Sequence, residues 1–327
     1  MSGSVPASSE PMSAARRKTI GIFTPCYNEE AGIAECYNRV RQTMETKLSN
    51  YDYEHLFIDN CSHDRTVVIL KEIAEHDKRV KIIVNARNFG HTRSPHHAML
   101  QVHGDAVVPI LADLQTPPDL IVEFVKHWEA GTRMVIAVRQ GAEEGFFMRL
   151  ARDVFYRMMT RLSNVEQIRN FMGFGLYDRQ VIEILRNLDE PDPYFRGLVS
   201  EIGFDKVFVG YHQPPRKHGR TRHSFFDLIE LSMLALTTYS RAPLKLMTIA
   251  GLGISSLSIL FGVIYLVLKL LYWDTFPVGI VPLLVATFFF AAVQLIALGL
   301  IGEYIGLVLR YVRRFPLVIE KERVNFN

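Results

Sequence analysis

Residues 246–268 contain no Asp, Glu, Lys or Arg, and residues 276–302 contain none either. At 1.5 Å per residue the first run reaches roughly 34 Å, enough to cross a hydrocarbon core of about 30 Å. The second run continues past Glu303 to residue 309. Buried helices of a soluble protein seldom stay uncharged over such lengths. The link between the runs carries Tyr272, Trp273 and Phe276, aromatics suited to a membrane interface. Cations cluster outside the pair, with Arg241 and Lys245 before it and Arg310, Arg313, Arg314, Lys321 and Arg323 after it, against Lys269 alone in the link. The positive-inside rule then predicts a helical hairpin, residues 244–272 and 276–309, with the N-terminal domain and a tail at 310–327 on the cytosolic side. Ahead of the hairpin, residues 223–243 read as an amphipathic juxtamembrane helix with Phe226, Ile229, Met233 and Leu236 near one face. That face suits the membrane interface, and a domain-packing helix has the same pattern.

The chain before the hairpin has a different character. Residues 1–17 are small and polar, with no apolar core of a signal peptide, and read as a disordered leader. Over 18–222, short runs rich in Ile, Val and Phe (19–24, 54–59, 80–84, 106–112 and 134–138) alternate with stretches at helical spacing such as 31–48 and 65–76. Such alternation predicts an α/β domain with a mostly parallel, Rossmann-like sheet, whose ligands sit beyond the carboxyl ends of the strands. A net charge of +3 is too small for a nucleic-acid binder. Three cysteines, Cys26, Cys36 and Cys61, are too few for a disulfide scaffold and read as reduced cytosolic thiols.

The residues just after each run therefore carry the chemistry. The first run ends in Thr24-Pro-Cys-Tyr-Asn-Glu-Glu30, where the proline stops the strand; Asn28 and Glu29 are either ligand contacts or an ordinary helix cap with acidic first-turn residues. The second ends in Asp59-Asn-Cys-Ser-His-Asp64. Asp59 is placed to accept hydrogen bonds from a nucleobase or ribose, while Ser62 and Asp64 also fit as caps of the next helix. The third leads into Ala86-Arg-Asn-Phe-Gly90 and the pair His96-His97, which lacks the third ligand of a metal site. The fourth ends in Leu111-Ala-Asp-Leu-Gln115, where Asp113 and Gln115 point to one side of an extended segment and offer oxygen to a hard cation.

Taken in order, these motifs resemble the family-2 glycosyltransferases of GT-A fold, specifically the polyprenyl-phosphate branch that includes dolichol-phosphate mannose synthase. The likeness runs from Lys18 to the C-terminus. It takes in Ala137-Val-Arg139, a helix at 149–162, Gly173-Phe-Gly-Leu-Tyr-Asp-Arg179, Tyr194-Phe-Arg-Gly-Leu198, Pro215-Arg-Lys-His-Gly-Arg-Thr-Arg222 and Gly302-Glu-Tyr-Ile-Gly306. The resemblance implies that Pro25, Tyr27, Glu29, Asp59, Arg87 and Arg139 contact the donor nucleotide, that Asp113 and Gln115 hold Mg²⁺ or Mn²⁺, and that Arg139, Arg216 and Arg222 bind phosphate. Asp113, Arg216 and Arg222 are then the catalytic set. Arginine suits the task because its planar fork binds phosphate oxygens in pairs. Arg216 and Arg222, just before the membrane, are also placed to attract anionic headgroups.

The implied reaction moves a sugar, with inversion, from a nucleoside-diphosphate sugar to polyprenyl phosphate, in a multi-pass protein of the inner membrane with its catalytic domain in the cytosol. A UDP-sugar and undecaprenyl phosphate are favoured by the range of bacterial relatives, and a homo-oligomer, a tetramer, is expected on the same ground. Two departures stand out. The family's usual Asp-Asp-Gly-Ser reads Asp59-Asn60-Cys61-Ser62, and its usual Asp-X-Asp reads Leu111-Ala112-Asp113. These losses motivate one alternative, a non-catalytic nucleotide-sugar-binding membrane protein. A processive polysaccharide synthase calls for a Gln-X-X-Arg-Trp element, and the chain's tryptophans are Trp128 and Trp273 alone.

Overall fold

The computed structural model describes residues 16–140, 168, 171–188, 190–191, 193–214, 242–272, 280–313 and 315–326. Each apolar run of the N-terminal half forms a strand: β1 (Thr19–Cys26), β2 (Asp52–Asp59), β3 (Val80–Asn85), β4 (Ala106–Pro109) and β5 (Met134–Gln140). Between them lie helices α1 (Ile33–Lys47), α2 (Thr66–His76), α3 (Gly90–Gln101) and α4 (Leu120–Glu129). Their helical spacing buries one stripe, as in Ile33, Cys36, Tyr37, Val40 and Met44 of α1. Then follow β6 (Phe171–Asp178), α5 (Arg179–Leu188), α6 (Phe195–Glu201) and β7 (Lys206–His212).

One eight-stranded sheet results, in the order β7-β5-β6-β4-β1-β2-β3-β8. Strands β1, β2, β3 and β4 run parallel, and β7 runs parallel to β5. Strand β6 is antiparallel to both of its neighbours, making the sheet mixed though mostly parallel. Contrary to the expectation that Pro25 ends β1, it lies inside the strand, opposite Ile58. Beyond Phe23, β1 pairs only with β2, so a residue without an N–H costs no ladder bond on the β4 side. Close approach of strands requires glycine at Gly175, where a Cβ would lie 2.3 Å from the Val135 carbonyl oxygen.

Helices α7 (Ala242–Leu271) and α8 (Ile280–Arg313) contain the two apolar runs. Each has a 25-residue stretch long and apolar enough to cross a membrane, and side chains such as Leu252, Leu260, Leu295 and Ile296 are exposed. Past α8 the chain returns to the sheet. Residues read from the sequence as a tail carry β8 (Glu320–Val324), antiparallel to β3. The predicted juxtamembrane helix lies almost wholly, and the helix at 149–162 wholly, outside the described residues.

Candidate active site

The ends of β1, β2 and β3 are laced into one wall. Asn28 adopts the left-handed backbone (φ 55°); its N–H donates to Ser62 Oγ at 2.9 Å, and its Oδ1 accepts from the His63 N–H at 2.9 Å. The Glu29 N–H donates to Thr66 Oγ1, and the Glu30 N–H to Asp64 Oδ2. Helix α1 begins only at Ile33, so Asn28 braces the neighbouring loop rather than capping its own helix. Asp64 also receives the Thr66 N–H at 3.0 Å. Burial pushes its carboxyl up, but the hydrogen bonds from Thr66 and from the Glu30 amide outweigh that and hold it below the usual range.

Asp59, at the end of β2, is fully buried. One carboxylate oxygen accepts the Ser62 N–H at 2.9 Å and the other the Ser62 hydroxyl. Burial raises its pKa despite these bonds. Arg87 is exposed, with its guanidinium 4.1 Å above the Phe89 ring and Nη1 donating to the Asn88 carbonyl. Pro25, Tyr27 and Glu29 are half-buried on the same edge.

Contrary to the expectation of an extended segment with Asp113 and Gln115 on one side, residues 111–116 beyond β4 form a tight turn, because the chain reverses at Leu114. The Leu114 N–H donates to the Leu111 carbonyl, and Leu114 itself has φ 56°. Asp113 Oδ1 accepts the Gln115 N–H at 3.0 Å, which fixes the carboxylate at the strand end. Arg139, on β5 beside Tyr211 of β7, donates from Nη1 to Gln213 Oε1 at 2.8 Å.

Electrostatics tie these pieces together. The Cys36 thiol is pushed up to about 12, first by burial and then by the charges of Asp113 and Glu29, against a hydrogen bond with Thr24. The Tyr211 hydroxyl is raised by burial, lowered in part by Arg139 and raised again by Asp113. Asp113 is thus within electrostatic range of both Cys36 and Tyr211, with Glu29 also acting on the first and Arg139 on the second. The sequence context of Tyr211 offers no motif; the alternation Val207, Val209, Tyr211 on one face of β7 is its only signal. Arg216 and Arg222 lie outside the described residues.

A hard cation fits this donor set only as a shared ligand. One carboxylate, Asp113, and one amide, Gln115, stand at the end of β4, and among the described residues no group of three or more His, Cys, Asp or Glu could hold a metal. Mg²⁺ commonly takes one or two protein carboxylates, keeps waters and borrows phosphate oxygens.

The glycosyl transferase family 2 model matches residues 21–185, about half the chain and all of the wall just described. The glycosyltransferase YkcC of Bacillus subtilis (strain 168) is 38% identical, over 91% of this chain and 92% of that protein. The bactoprenol glucosyl transferase of Shigella phage SfII is 32% identical over 93% of this chain and 97% of its own length. Among solved structures, a Pyrobaculum calidifontis mannosyltransferase in complex with GDP-Man and Mn²⁺ aligns with a TM-score of 0.42 at 16% identity, over 78% of this chain and 81% of that one. The chain belongs to the family 2 glycosyltransferases, with the GT-A sheet followed by two apolar helices.

Proposed function

We propose that this glycosyltransferase moves a hexose from a nucleoside diphosphate, UDP in first place, to the phosphate of a membrane polyprenol at the cytosolic face of the inner membrane, with inversion at the anomeric carbon. One observation carries the reading. The chain matches a bactoprenol glucosyl transferase along nearly its full length, apolar helices included. At the glycines of α7 and α8, among them Gly251, Gly253, Gly299, Gly302 and Gly306, a Cβ would meet nothing within 4 Å among the described residues, which supports close helix packing between copies of the chain.

Few acids are needed for this chemistry. A phosphate monoester loses its second proton near pH 6, so the acceptor is mostly a dianion at neutral pH and needs positioning rather than a strong base. Its oxygen attacks the anomeric carbon in line as the bond to the nucleoside diphosphate breaks, which inverts the centre. Asp113 and Gln115 would hold Mg²⁺ or Mn²⁺, which supplies positive charge to the departing diphosphate. Arg139 stands at the same strand ends, and Arg216 and Arg222, close before the membrane in sequence, are assigned to the lipid phosphate.

The test is release of nucleoside diphosphate by the full-length protein in detergent, with undecaprenyl phosphate, a panel of UDP- and GDP-sugars, and Mg²⁺, Mn²⁺ or EDTA. Lipid-dependent release from one donor, lost in EDTA, is expected and names the sugar. Donor binding with no release across the panel overturns the reading in favour of a non-catalytic nucleotide-sugar binder.

A further inference from the structure

Asn60 stands where the family pattern has a second aspartate, and its side-chain bonds tie the loop after β2 to the end of β3 and the loop that follows it. It is 8% exposed. Its Oδ1 accepts the Phe89 N–H at 2.9 Å and Asn85 Nδ2 at 3.1 Å. Its Nδ2 donates to Asn88 Oδ1 at 2.9 Å and to the Gly90 carbonyl at 3.1 Å. Asn88 Oδ1 is in turn held by the Gly90 N–H at 2.8 Å, and Gly90 opens α3 with φ +86°. Every residue of the Asn88-Phe89-Gly90 turn is thus tied to one amide, and Arg87 packs on that turn through Phe89 and the Asn88 carbonyl.

We propose that Asn60 is a positioning residue for the donor: its amide fixes the Arg87–Gly90 loop against the Asp59 wall and so sets the nucleotide pocket. This rests on the nucleotide-sugar reading above and adds to it a requirement for an amide. An aspartate of the same shape keeps both acceptor contacts, with Asn85 and Phe89. On the other side it turns a carboxylate oxygen toward two acceptors, Asn88 Oδ1 and the Gly90 carbonyl. Asn88 can rotate its amide to donate, but then loses the Gly90 N–H. No rearrangement of the two side chains satisfies all partners, so an aspartate is the wrong residue in this loop.

The experiment compares wild type, Asn60→Asp and Asn88→Ala as full-length proteins in detergent. UDP and GDP binding are measured by calorimetry and, with the active donor, KM and kcat. Asn60→Asp is expected to weaken nucleotide binding and raise the donor KM about tenfold, the effect of one lost buried hydrogen bond. The acceptor KM and kcat should change less than twofold. Asn88→Ala removes the acceptor at an exposed position, so it should fold regardless and raise the donor KM in the same direction. Nucleotide affinity in Asn88→Ala equal to wild type overturns the proposal, whatever the folding of Asn60→Asp. A wild type that binds neither UDP nor GDP overturns this proposal together with the donor reading, whereas unaltered binding in the variants overturns this one alone.

Discussion

The His97 imidazole on α3 lies 2.6 Å, Nε2 to Oε1, from the carboxylate of Glu320, the first residue of β8. Glu320 also receives the Arg323 guanidinium, and Arg323 reaches Gln101 Oε1 at 3.0 Å. Lys71 of α2 pairs with Glu322 at 2.7 Å, and Asn325 Nδ2 donates to the carbonyls of Ala74 and Val80. The chain emerging from α8 is therefore fastened to both helices that flank β3. Its first anchor, the Ala86 N–H on the Ile319 carbonyl, sits at the base of the Arg87 loop.

Glu320 should matter most in this fastening. Burial raises its carboxyl, but the bonds from Arg323 and His97 outweigh that and hold it below the usual range near 4.5. A carboxylate with a depressed folded value stabilises above its unfolded pKa and loses that contribution as the pH falls through the folded value. Glu320→Gln should cost about 1–2 kcal/mol at pH 7 by thermal melting in detergent. The difference from wild type should shrink below about pH 4.5. Equal melting temperatures at pH 7 would mean that β8 is held by its backbone bonds alone.

His96 makes the opposite case. It is buried beside Phe195, its two ring nitrogens have no hydrogen-bond partner among the described residues, and burial, then the neighbouring His97, lowers its pKa to about 4. Between pH 4 and the ordinary 6.5 the unfolded chain binds a proton there that the folded chain does not. Stability falls with acidity across that window, by up to about 1.4 kcal/mol per pH unit. His96→Leu should match or exceed wild type at pH 7, because no hydrogen bond is lost. It should also flatten the acid limb of a stability profile taken between pH 4 and 6.5. An unchanged limb would assign the acid sensitivity elsewhere, with His55, lowered by burial to about 3, the first candidate.

The sequence made β1 to β5 legible because each carries a short run rich in Ile, Val, Leu or Phe, as strands covered on both faces do. The same logic places Asp113 and Glu29 just beyond the carboxyl ends of two such runs. β8 was not legible. Glu320-Lys-Glu-Arg-Val324 has no apolar alternation because it is an edge strand, where charge guards the open edge. Strand β6 hides for another reason: nothing local tells Phe171–Asp178 to enter between β4 and β5 and run against both. The bracing roles of Asn28 and Asn60 depend on residues 25 or more positions apart in sequence meeting at one edge, as in the 2.9 Å bond between Asn28 and Ser62.

Thiol reactivity offers a test of topology. Cys36 is pushed up to about 12 and Cys26 is raised well above its ordinary value, both first by burial, so neither presents a thiolate at pH 7. Cys61, with φ 67° and partial exposure between Asn60 and Ser62, is the thiol within reach of reagent. A membrane-impermeant maleimide should label one thiol per chain, and only in inverted vesicles. If the wall that carries Cys61 binds the donor as proposed, UDP should slow the labelling. Labelling of intact cells at the same rate would place the domain outside the cytosol and remove the proposed orientation.

Asp113 separates charge from architecture. Its Oδ1 accepts the Gln115 N–H at 3.0 Å and shapes the turn that ends β4. Asp113→Asn keeps that acceptor and removes only the negative charge, so the turn, the melting temperature and membrane attachment should persist. If the carboxylate holds the cation that neutralises the leaving diphosphate, transfer should fall by about 10³-fold or more, since electrostatic stabilisation of developing charge is commonly the largest single contribution to such a step. Raising Mn²⁺ should restore little, because the variant offers two neutral amides where a hard cation prefers a carboxylate. The measurement is nucleoside diphosphate release at saturating donor and lipid across a Mn²⁺ titration. Turnover of Asp113→Asn within threefold of wild type would remove the carboxylate from the mechanism and leave the arginines as the stabilising charge.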